Sequence, residues 1–251
     1  MKHIILSVND NPKYLYFLPL TCWTWRRLGW NPIIFFCGKM DRARKLIPDF
    51  DEYNIREVLV YDPFKSSTIA QVARLFGACV AEGMIMTGDI DMLALSDYWQ
   101  PNPGGVTCYG RDLTDYHYPI CYIAMEDYDW KVVMNIQSNL YGVHLRRDLR
   151  QQKNEWVLDQ DIITERLLEC GKENITHVSR GTDKRTGYPV GRVDRSHWTL
   201  KHDVFIDAHL PHDVLTNEAS FKKVLELLHT VWPNEDFKWF IDYHKNFKKL
   251  L

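Results

Sequence analysis

The tripeptide Asp-x-Asp occurs three times in the chain, at 89–91 (DID), 127–129 (DYD) and 159–161 (DQD). Two carboxylates one residue apart can bind a hard divalent cation that keeps open positions for the oxygens of a pyrophosphate. Such a cation stabilises a departing diphosphate by neutralising its negative charge. The tripeptide alone is weak evidence, so its context must decide which copy binds a metal.

The copy at 89–91 has the most favourable context. It follows an apolar run at 84–88 (MIMTG) that is typical of a buried strand, and that run follows a helical pattern at 67–81. We therefore predict that Asp89 and Asp91 form a metal site at the end of a strand.

The other two copies have simpler interpretations. For 127–129 we expect a solvated turn. The copy at 159–161 stands at the start of a helical pattern, where aspartates cap a helix and interact favourably with its dipole.

Strand and helix patterns alternate in the first ninety-odd residues, and this alternation predicts the elements that position the 89–91 copy. Such alternation is typical of a largely parallel sheet with helices on its faces, and ligands of these sheets bind beyond the carboxyl ends of the strands. The turns at 7–10, Gly38, Asp62 and Asp89 are therefore expected to line one crevice. The strands are predicted at 3–8, 32–37, 56–61 and 84–88, and the helices at 13–28 and 67–81.

The second half of the chain is less regular. A polar, Gly-rich loop at 179–198 suits an acceptor site or a lid, although a surface loop without a role fits almost as well. We find no internal repeat, so we predict one domain over 1–251, with a nucleotide-binding half at 1–95 and an acceptor-side half at 96–251. The other predicted elements are strands at 118–125 and 204–207, helices at 217–230 and 235–249, and a helix within 156–170 that opens at Asp159 or Asp161.

Composition excludes several classes of protein. Lys and Arg number 31 against 33 Asp and Glu, a net charge of −2, so we expect no nucleic-acid partner. The six cysteines form no CxxC pair, which argues against a zinc ribbon. No run approaches the about 20 apolar residues that a membrane span needs. The apolar run at 3–8 is too short for a signal peptide and predicts a first strand, so we expect a cytoplasmic protein.

Two nucleotide-binding motifs are absent from the sequence. The turn after the first predicted strand reads SVNDNP and lacks the G-x-G-x-x-G of dinucleotide-binding enzymes. The chain also lacks the G-x-x-x-x-G-K-[ST] of P-loop enzymes. Both absences disfavour the corresponding classes of enzyme.

A family resemblance rests on the segment 71–95, which reads QVARLFGACVAEGMIMTGDIDMLAL. It resembles the segment around the DxD motif in nucleotide-sugar glycosyltransferases of the GT-A fold, where a helix bearing an Arg precedes a strand that runs into the motif. The overall layout resembles the small GT-A enzymes encoded by large algal viruses (chloroviruses). If the chain is viral, its compartment would be the host cytoplasm.

The resemblance implies both a fold and an activity. The fold is α/β of GT-A type, with a Rossmann-like, mostly parallel central sheet flanked by helices. The activity is that of a metal-dependent glycosyltransferase (EC 2.4 class) with Mn²⁺ or Mg²⁺. It would move a sugar from a nucleotide sugar, a UDP-sugar being favoured over a GDP-sugar, to a hydroxyl of a carbohydrate, glycan or glycoprotein acceptor.

The same resemblance implies roles for individual residues. Asp91 would be the main metal ligand, and Asp89 would contact the metal or the donor ribose. Arg74 would reach the donor phosphates or the sugar. The base and ribose would lie against the end of the first strand, which consists of Ser7, Val8 and Asn9.

For two further roles, the third metal ligand and the catalytic base, the sequence offers more than one candidate residue. The family often supplies a third metal ligand from near the C-terminal end, for which His209 is the first choice and His212 the second, because imidazole binds manganese-type ions alongside carboxylates. An inverting enzyme also needs a carboxylate base on the acceptor hydroxyl, and Asp161 or Asp159 would serve. A retaining enzyme needs no such base, and the sequence does not decide between the two.

Two other functions fit the same residues. Clustered carboxylates also serve metal-dependent hydrolases, here one acting on nucleotide sugars or phosphodiesters. A non-catalytic sugar-binding protein would use the nine Trp and thirteen Tyr as stacking platforms. Metal dependence and turnover distinguish these functions from glycosyl transfer.

Overall fold

The strands of the first ninety residues form one side of a seven-stranded sheet in a computed structural model, which describes residues 1–60, 64–110, 117–136, 157–171 and 174–251. The strand order is β3-β2-β1-β4-β7-β6-β8. The strands are β1 (Lys2–Asn9), β2 (Asn31–Cys37), β3 (Ile55–Glu57), β4 (Met84–Thr87), β6 (Val106–Tyr109), β7 (Ile123–Glu126) and β8 (Ile175–Val178).

Four neighbouring strands of this sheet, β3, β2, β1 and β4, run parallel. Strand β7 is antiparallel to both β4 and β6, and β6 runs parallel to β8. In β1, Ile4 and Leu6 pack into the core on one face of the sheet, whereas Ile5 packs into the core on the other face. Alternate side chains of a strand point to opposite faces, so an almost continuous apolar run is what a strand buried on both faces requires.

Helices cover both faces of the sheet, as the alternating pattern predicts. Helix α4 packs against β1 and β2 and contributes Ile69, Val72 and Phe76 to one core. Among the described residues, no helix combines the length and the apolar character that crossing a bilayer demands. The helices are α1 (Pro12–Leu15), α2 (Leu18–Arg27), α3 (Met40–Leu46), α4 (Ser66–Ala78), α5 (Asp127–Val133), α6 (Leu158–Glu169), α7 (Glu218–Val231) and α8 (Lys238–Leu250).

A second, three-stranded sheet joins distant parts of the chain beside the first. It consists of β5 (Met92–Ala94), β9 (Arg192–Asp194) and β10 (Asp207–His209). The central strand β10 is antiparallel to β5 and parallel to β9, and its last residue pairs with Met92 and Asp194. This pairing carries residues of the second half to the end of β4.

Several predicted boundaries are wrong, each for a physical reason. The helix at 13–28 is two helices, because Pro19 lacks a backbone N–H and fits only the first turn of α2. The predicted strand at 118–125 is limited to β7, and the predicted loop at 179–198 contains β9. The strand predicted at 204–207 begins only at Asp207, where pairing with β5 starts.

The copy at 127–129 does not form the predicted solvated turn between elements. It is helical and begins α5, where Asp127 Oδ1 accepts a hydrogen bond from the Gly83 amide at 3.2 Å. The copy at 159–161 lies in the first turn of α6, as predicted, although neither aspartate is the residue that precedes the helix. Two positions of the predictions, the turn at Asp62 and the first residue of the segment 156–170, lie outside the described residues.

Candidate active site

A cavity of about 370 Å³ opens beyond the carboxyl ends of β1 and β4. Ligands of parallel sheets bind at this edge. Gly38, expected in the same crevice, lies beside a different cavity. Eight of the residues predicted from the sequence line the 370 Å³ cavity: Ser7, Val8, Asn9, Arg74, Asp89, Asp91, Asp159 and His209.

Two imidazoles converge on the carboxylate of Asp91. Asp91 Oδ2 lies 3.4 Å from His209 Nε2 and 3.2 Å from His212 Nε2. His209 reaches this position because its strand pairs with Met92, the residue after Asp91. His212, 121 residues from Asp91 in sequence, follows on the same turn, and the Leu210 amide donates to the Asp91 carbonyl at 2.9 Å.

Asp91, His209 and His212 carry the kinds of donor atom that a divalent cation binds, since carboxylate oxygen with imidazole nitrogen suits manganese-type ions. Two ligand atoms about 2.1 Å from one ion are about 3.0 to 3.4 Å apart, depending on the angle between them. Among the described residues, however, no group of three or more His, Cys, Asp or Glu side chains is placed so that it could hold a metal ion as it stands. Arg195 Nη1 lies 3.0 Å from Asp91 Oδ2 and also contacts His212.

The charges at this point shift the pKa of both partners. Burial works to raise the pKa of Asp91, but the contacts with His209, His212 and Arg195 outweigh burial and hold this pKa far below its ordinary value. Burial works to lower the pKa of His209, but the carboxylates of Asp194 and Asp91 outweigh it and raise this pKa. The group is therefore a compact set of opposite charges, 7% of Asp91 being exposed.

Arg74 organises the opposite wall of the cavity. It extends from α4, is buried, and contacts the carboxylates of both Asp89 and Asp159. Its Nη1 also donates to the Gly88 carbonyl at 3.2 Å. One guanidinium thus ties the end of β4 to the first turn of α6.

The two candidate bases differ in position. Asp159 is buried, lines the cavity, and accepts a hydrogen bond from the Gln160 amide at 2.9 Å. Asp161 is outside that lining, and its Oδ1 lies 2.8 Å from His117 Nε2.

The end of β1 forms the third wall. Asn9 Nδ2 donates to Ser66 Oγ at 3.2 Å, and Asn9 Oδ1 accepts from the Asn11 amide at 3.2 Å. These bonds hold the turn after β1 against the start of α4. Ser7 and Val8 complete this wall.

Sequence reasoning missed several side chains of the site, among them Cys121 and Tyr14. The thiol of Cys121 contacts the Asp89 carboxylate, and burial raises the pKa of this thiol to about 12. Tyr14 lines the cavity and its ring lies 5.4 Å from that of His212. No signal marks either one, because Cys121 stands in an apolar run and Tyr14 in an ordinary helical pattern.

Comparison with solved structures finds glycosyltransferases. The galactosyltransferase LgtC, in complex with donor and acceptor sugar analogues, is 11% identical, covering 96% of this chain and 99% of that chain at a TM-score of 0.48. The bifunctional glycosyltransferase WbbM, in its apo structure, is 13% identical and covers 98% of this chain at a TM-score of 0.53. This chain spans about half of WbbM, 51%. No protein-family model and no curated protein sequence matches it.

At 13% identity, the likeness to WbbM bears on the fold alone. The chain has an α/β fold of GT-A type, with a mostly parallel central sheet flanked by helices. The fold expected from the sequence is therefore confirmed.

Proposed function

We propose that this protein is a metal-dependent glycosyltransferase. It moves a sugar from a nucleoside-diphosphate sugar, with UDP favoured over GDP, to a hydroxyl of a carbohydrate or glycoprotein acceptor. The metal is Mn²⁺ or Mg²⁺. The cytoplasmic location and the viral origin suggested by the sequence stay predictions.

One observation carries this proposal. Asp91 Oδ2 lies within 3.4 Å of an imidazole nitrogen of both His209 and His212, at the mouth of a cavity beyond β1 and β4. The sheet edge is where a nucleotide binds in α/β folds, and carboxylate oxygen with imidazole nitrogen is a ligand set that manganese-type ions accept, which supports a cation at that edge once Arg195 gives up its contact with Asp91. The glycosyltransferase fold agrees with this chemistry but does not establish it.

Each wall of the cavity has a task in such a reaction. The end of β1, at Ser7, Val8 and Asn9, holds the nucleoside. Asp89, Asp91, His209 and His212 hold the cation, which supplies charge neutralisation for the departing diphosphate when it is bound. Arg74 adds a fixed positive charge that a diphosphate can contact.

The acceptor hydroxyl must lose a proton when it attacks. In an inverting reaction the base is Asp159 or Asp161. Asp159 is the better placed of the two, because it lines the cavity, whereas Asp161 is bound to His117 outside that lining. Its pairing with Arg74 keeps Asp159 in one orientation.

Isothermal titration calorimetry tests the donor site directly. UDP and GDP are each titrated with Mn²⁺ and again with EDTA, on the wild type, on Asp91→Ala and on Asp129→Ala. The control removes an aspartate from another Asp-x-Asp copy, which lies in α5. We expect Mn²⁺-dependent binding of one nucleotide, weakened at least about a hundredfold in Asp91→Ala and unchanged in Asp129→Ala. Nucleotide binding that depends neither on the metal nor on Asp91 would contradict the proposal.

A further inference from the structure

A second cavity, of about 140 Å³, adjoins the first. The two share Asp89, Pro119, Cys121 and His209 as lining residues. We call the second one the aromatic cavity and define it by Trp99, Tyr109, Tyr122, Arg180 and Arg192. Its volume is about that of five water molecules in the liquid. A cavity of this size can take much of one sugar ring, but it is too small for a nucleotide.

Three aromatic rings form one side of the aromatic cavity. The ring centroid of Trp99 lies 3.9 Å from that of Tyr122 and 5.2 Å from that of Tyr109. Trp99 Nε1, Tyr109 Oη and Tyr122 Oη are all buried and have no hydrogen-bond partner among the described residues. Buried polar groups normally have partners, which either ordered water or a polar ligand in the cavity can supply.

Two guanidinium groups also line the aromatic cavity, and that of Arg180 lies over the Trp99 ring, 5.7 Å from its centroid. Arg180 donates to Asp207 Oδ1 through Nη1 and Nη2, each at 3.1 Å. Arg192 donates to the same carboxylate through Nε at 3.1 Å and Nη2 at 2.7 Å. These four bonds use four of the ten N–H groups that two arginines carry.

The charge of this group is unbalanced. Asp207 is fully buried and carries one negative charge against two positive ones. The acid and the histidine of the lining have charged partners elsewhere, Asp89 with Arg74 and His209 with Asp91 and Asp194. Since buried charges need compensation, the arginine side of the cavity favours an anionic group on the ligand.

We propose that the aromatic cavity is the subsite for a sugar that bears a carboxylate, of the hexuronic acid class. The apolar face of the sugar ring packs on the aromatic rings, its hydroxyls pair with Trp99, Tyr109 and Tyr122, and its carboxylate binds Arg180 and Arg192. This inference rests on the proposed function, since the neighbouring cavity would hold the nucleotide. The acidic sugar is either the glycosyl group of the donor or the residue of the acceptor that enters first.

Calorimetry with two pairs of probes separates these sources. The donor pair is UDP-glucuronic acid against UDP-glucose, with Mn²⁺. The acceptor pair is the methyl glycoside of glucuronic acid against that of glucose, at saturating UDP and Mn²⁺. We expect the acid to bind at least about tenfold more tightly than its neutral counterpart in one of the two pairs, as charge-assisted hydrogen bonds to two arginines require.

The variants Arg180→Gln and Tyr122→Phe test whether the preference for the acid probe arises in the aromatic cavity. Tyr53→Phe, at a residue outside both cavities, is the control. Arg180→Gln should abolish the preference for the acid. Tyr122→Phe should weaken binding of the preferred sugar several-fold without loss of thermal stability, because its hydroxyl has no partner to lose. That second variant keeps the test decisive if Arg180→Gln fails to fold.

Failure of this inference is distinguishable from failure of the donor site. Equal binding of acid and neutral probes in both pairs, or a preference that both variants leave intact, would overturn the inference, while UDP binding would still support the donor site. If UDP itself does not bind, the proposed function fails. The methyl glucuronide pair, titrated without nucleotide, then decides on the aromatic cavity alone.

Discussion

Two histidines, the partly exposed His209 and the buried His244, show how differently two regions of this molecule are built. His209 lies at the carboxyl edge of the sheet, with Asp194 and Asp91 on its two sides. His244 stacks on Phe221 at 3.7 Å between ring centroids, and its Nδ1 lies 2.9 Å from Tyr16 Oη. Burial lowers the pKa of both imidazoles, but only at His209 do neighbouring carboxylates reverse the shift and raise the pKa.

The difference separates a charged edge from an aromatic face. The charged edge consists of Asp91, Asp194, Arg195, His209 and His212, and its opposite charges suit a charged ligand. The aromatic face consists of Tyr16, Phe221, Phe240, His244 and Phe247, whose rings pack α7 and α8 onto the chain between α1 and α2. We therefore expect changes at the aromatic face to alter stability and changes at the charged edge to alter binding.

Truncation of Phe240 is the strongest test of that separation. Phe240 is fully buried, with ring centroids 5.9 Å from Tyr16 and 5.6 Å from Phe221. Phe240→Ala should lower the free energy of unfolding by about 3–5 kcal/mol, because it removes a buried ring and leaves a cavity. Urea denaturation measures this loss, and the exposed Tyr128→Ala should cost less than about 0.5 kcal/mol. A change in the Mn²⁺-dependent UDP affinity of folded Phe240→Ala would contradict the separation.

A substitution at Gly77 should change both the stability of the protein and the candidate active site. A Cβ at this position would lie 2.5 Å from the Phe35 ring, which is buried between α4 and the sheet. Gly77→Ala should cost about 1–3 kcal/mol through overpacking, measured by urea denaturation. It should also weaken UDP binding, because Arg74 is on the same helix.

A second substitution checks the cause of that effect. Phe35→Leu in the Gly77→Ala background opens space beside the new methyl group. The double variant should therefore lose less stability than the sum of the two single changes. Additive losses would show that the helix is not displaced by this contact.

The sequence predicted the sheet edge well because local patterns determine it. The β-rich runs that end at Asn9 and Asp89 are each buried on both faces, so their apolar character is continuous and easy to read. Their carboxyl ends meet wherever the strands are parallel. The fold class and the cavity-lining residues at the end of β1 and in the turn after β4 follow from these facts.

Contacts between distant segments could not be read in this way. The pairing of β10 with β5 and β9 depends on strands of three residues each, which are too short for a periodic pattern. The contact of Arg192 with Asp207 follows from that same pairing, because the two residues are partners in the register of β9 and β10. The helix boundary at Pro19 was in principle readable, because proline favours the first turn of a helix.

Removal of the Arg195 guanidinium tests whether changes at the charged edge alter the binding of a cation. Its Nη1 lies 3.0 Å from Asp91 Oδ2, so the guanidinium competes with any cation for that carboxylate. Arg195→Gln should therefore bind Mn²⁺ several-fold more tightly in the absence of nucleotide, an effect of about 1 kcal/mol. Electron paramagnetic resonance of free Mn²⁺ measures this affinity.

The matched control for this change is Arg185→Gln. Arg185 belongs to the same segment, is exposed, and pairs with Asp183 rather than with Asp91. Its substitution should leave the Mn²⁺ affinity unchanged. Weaker Mn²⁺ binding by Arg195→Gln would show that the guanidinium supports the cation instead of competing with it.

The smallest expected effect is the pH dependence that His244 confers on stability. Burial lowers the pKa of His244, Lys248 lowers it further, and Glu218 raises it by less. The unfolded chain, whose histidine pKa is about 6.5, therefore binds the proton more readily than the folded protein. Stability is full above about pH 6.5 and declines as the pH falls below it, by at most about 1.4 kcal/mol for each unit by which the folded pKa is lowered.

Urea denaturation at pH 7.5 and 5.5 isolates this contribution when wild type and His244→Phe are compared. The phenylalanine keeps the stacking on Phe221 but cannot take up a proton, so the variant should lose less stability than the wild type between the two pH values. His209 has the opposite shift and so contributes with the opposite sign, its stabilisation being present at low pH and lost as the pH rises through its raised pKa. An identical pH dependence in wild type and His244→Phe would mean that the aromatic face accommodates the charged imidazole, and the contrast between the two histidines would fail.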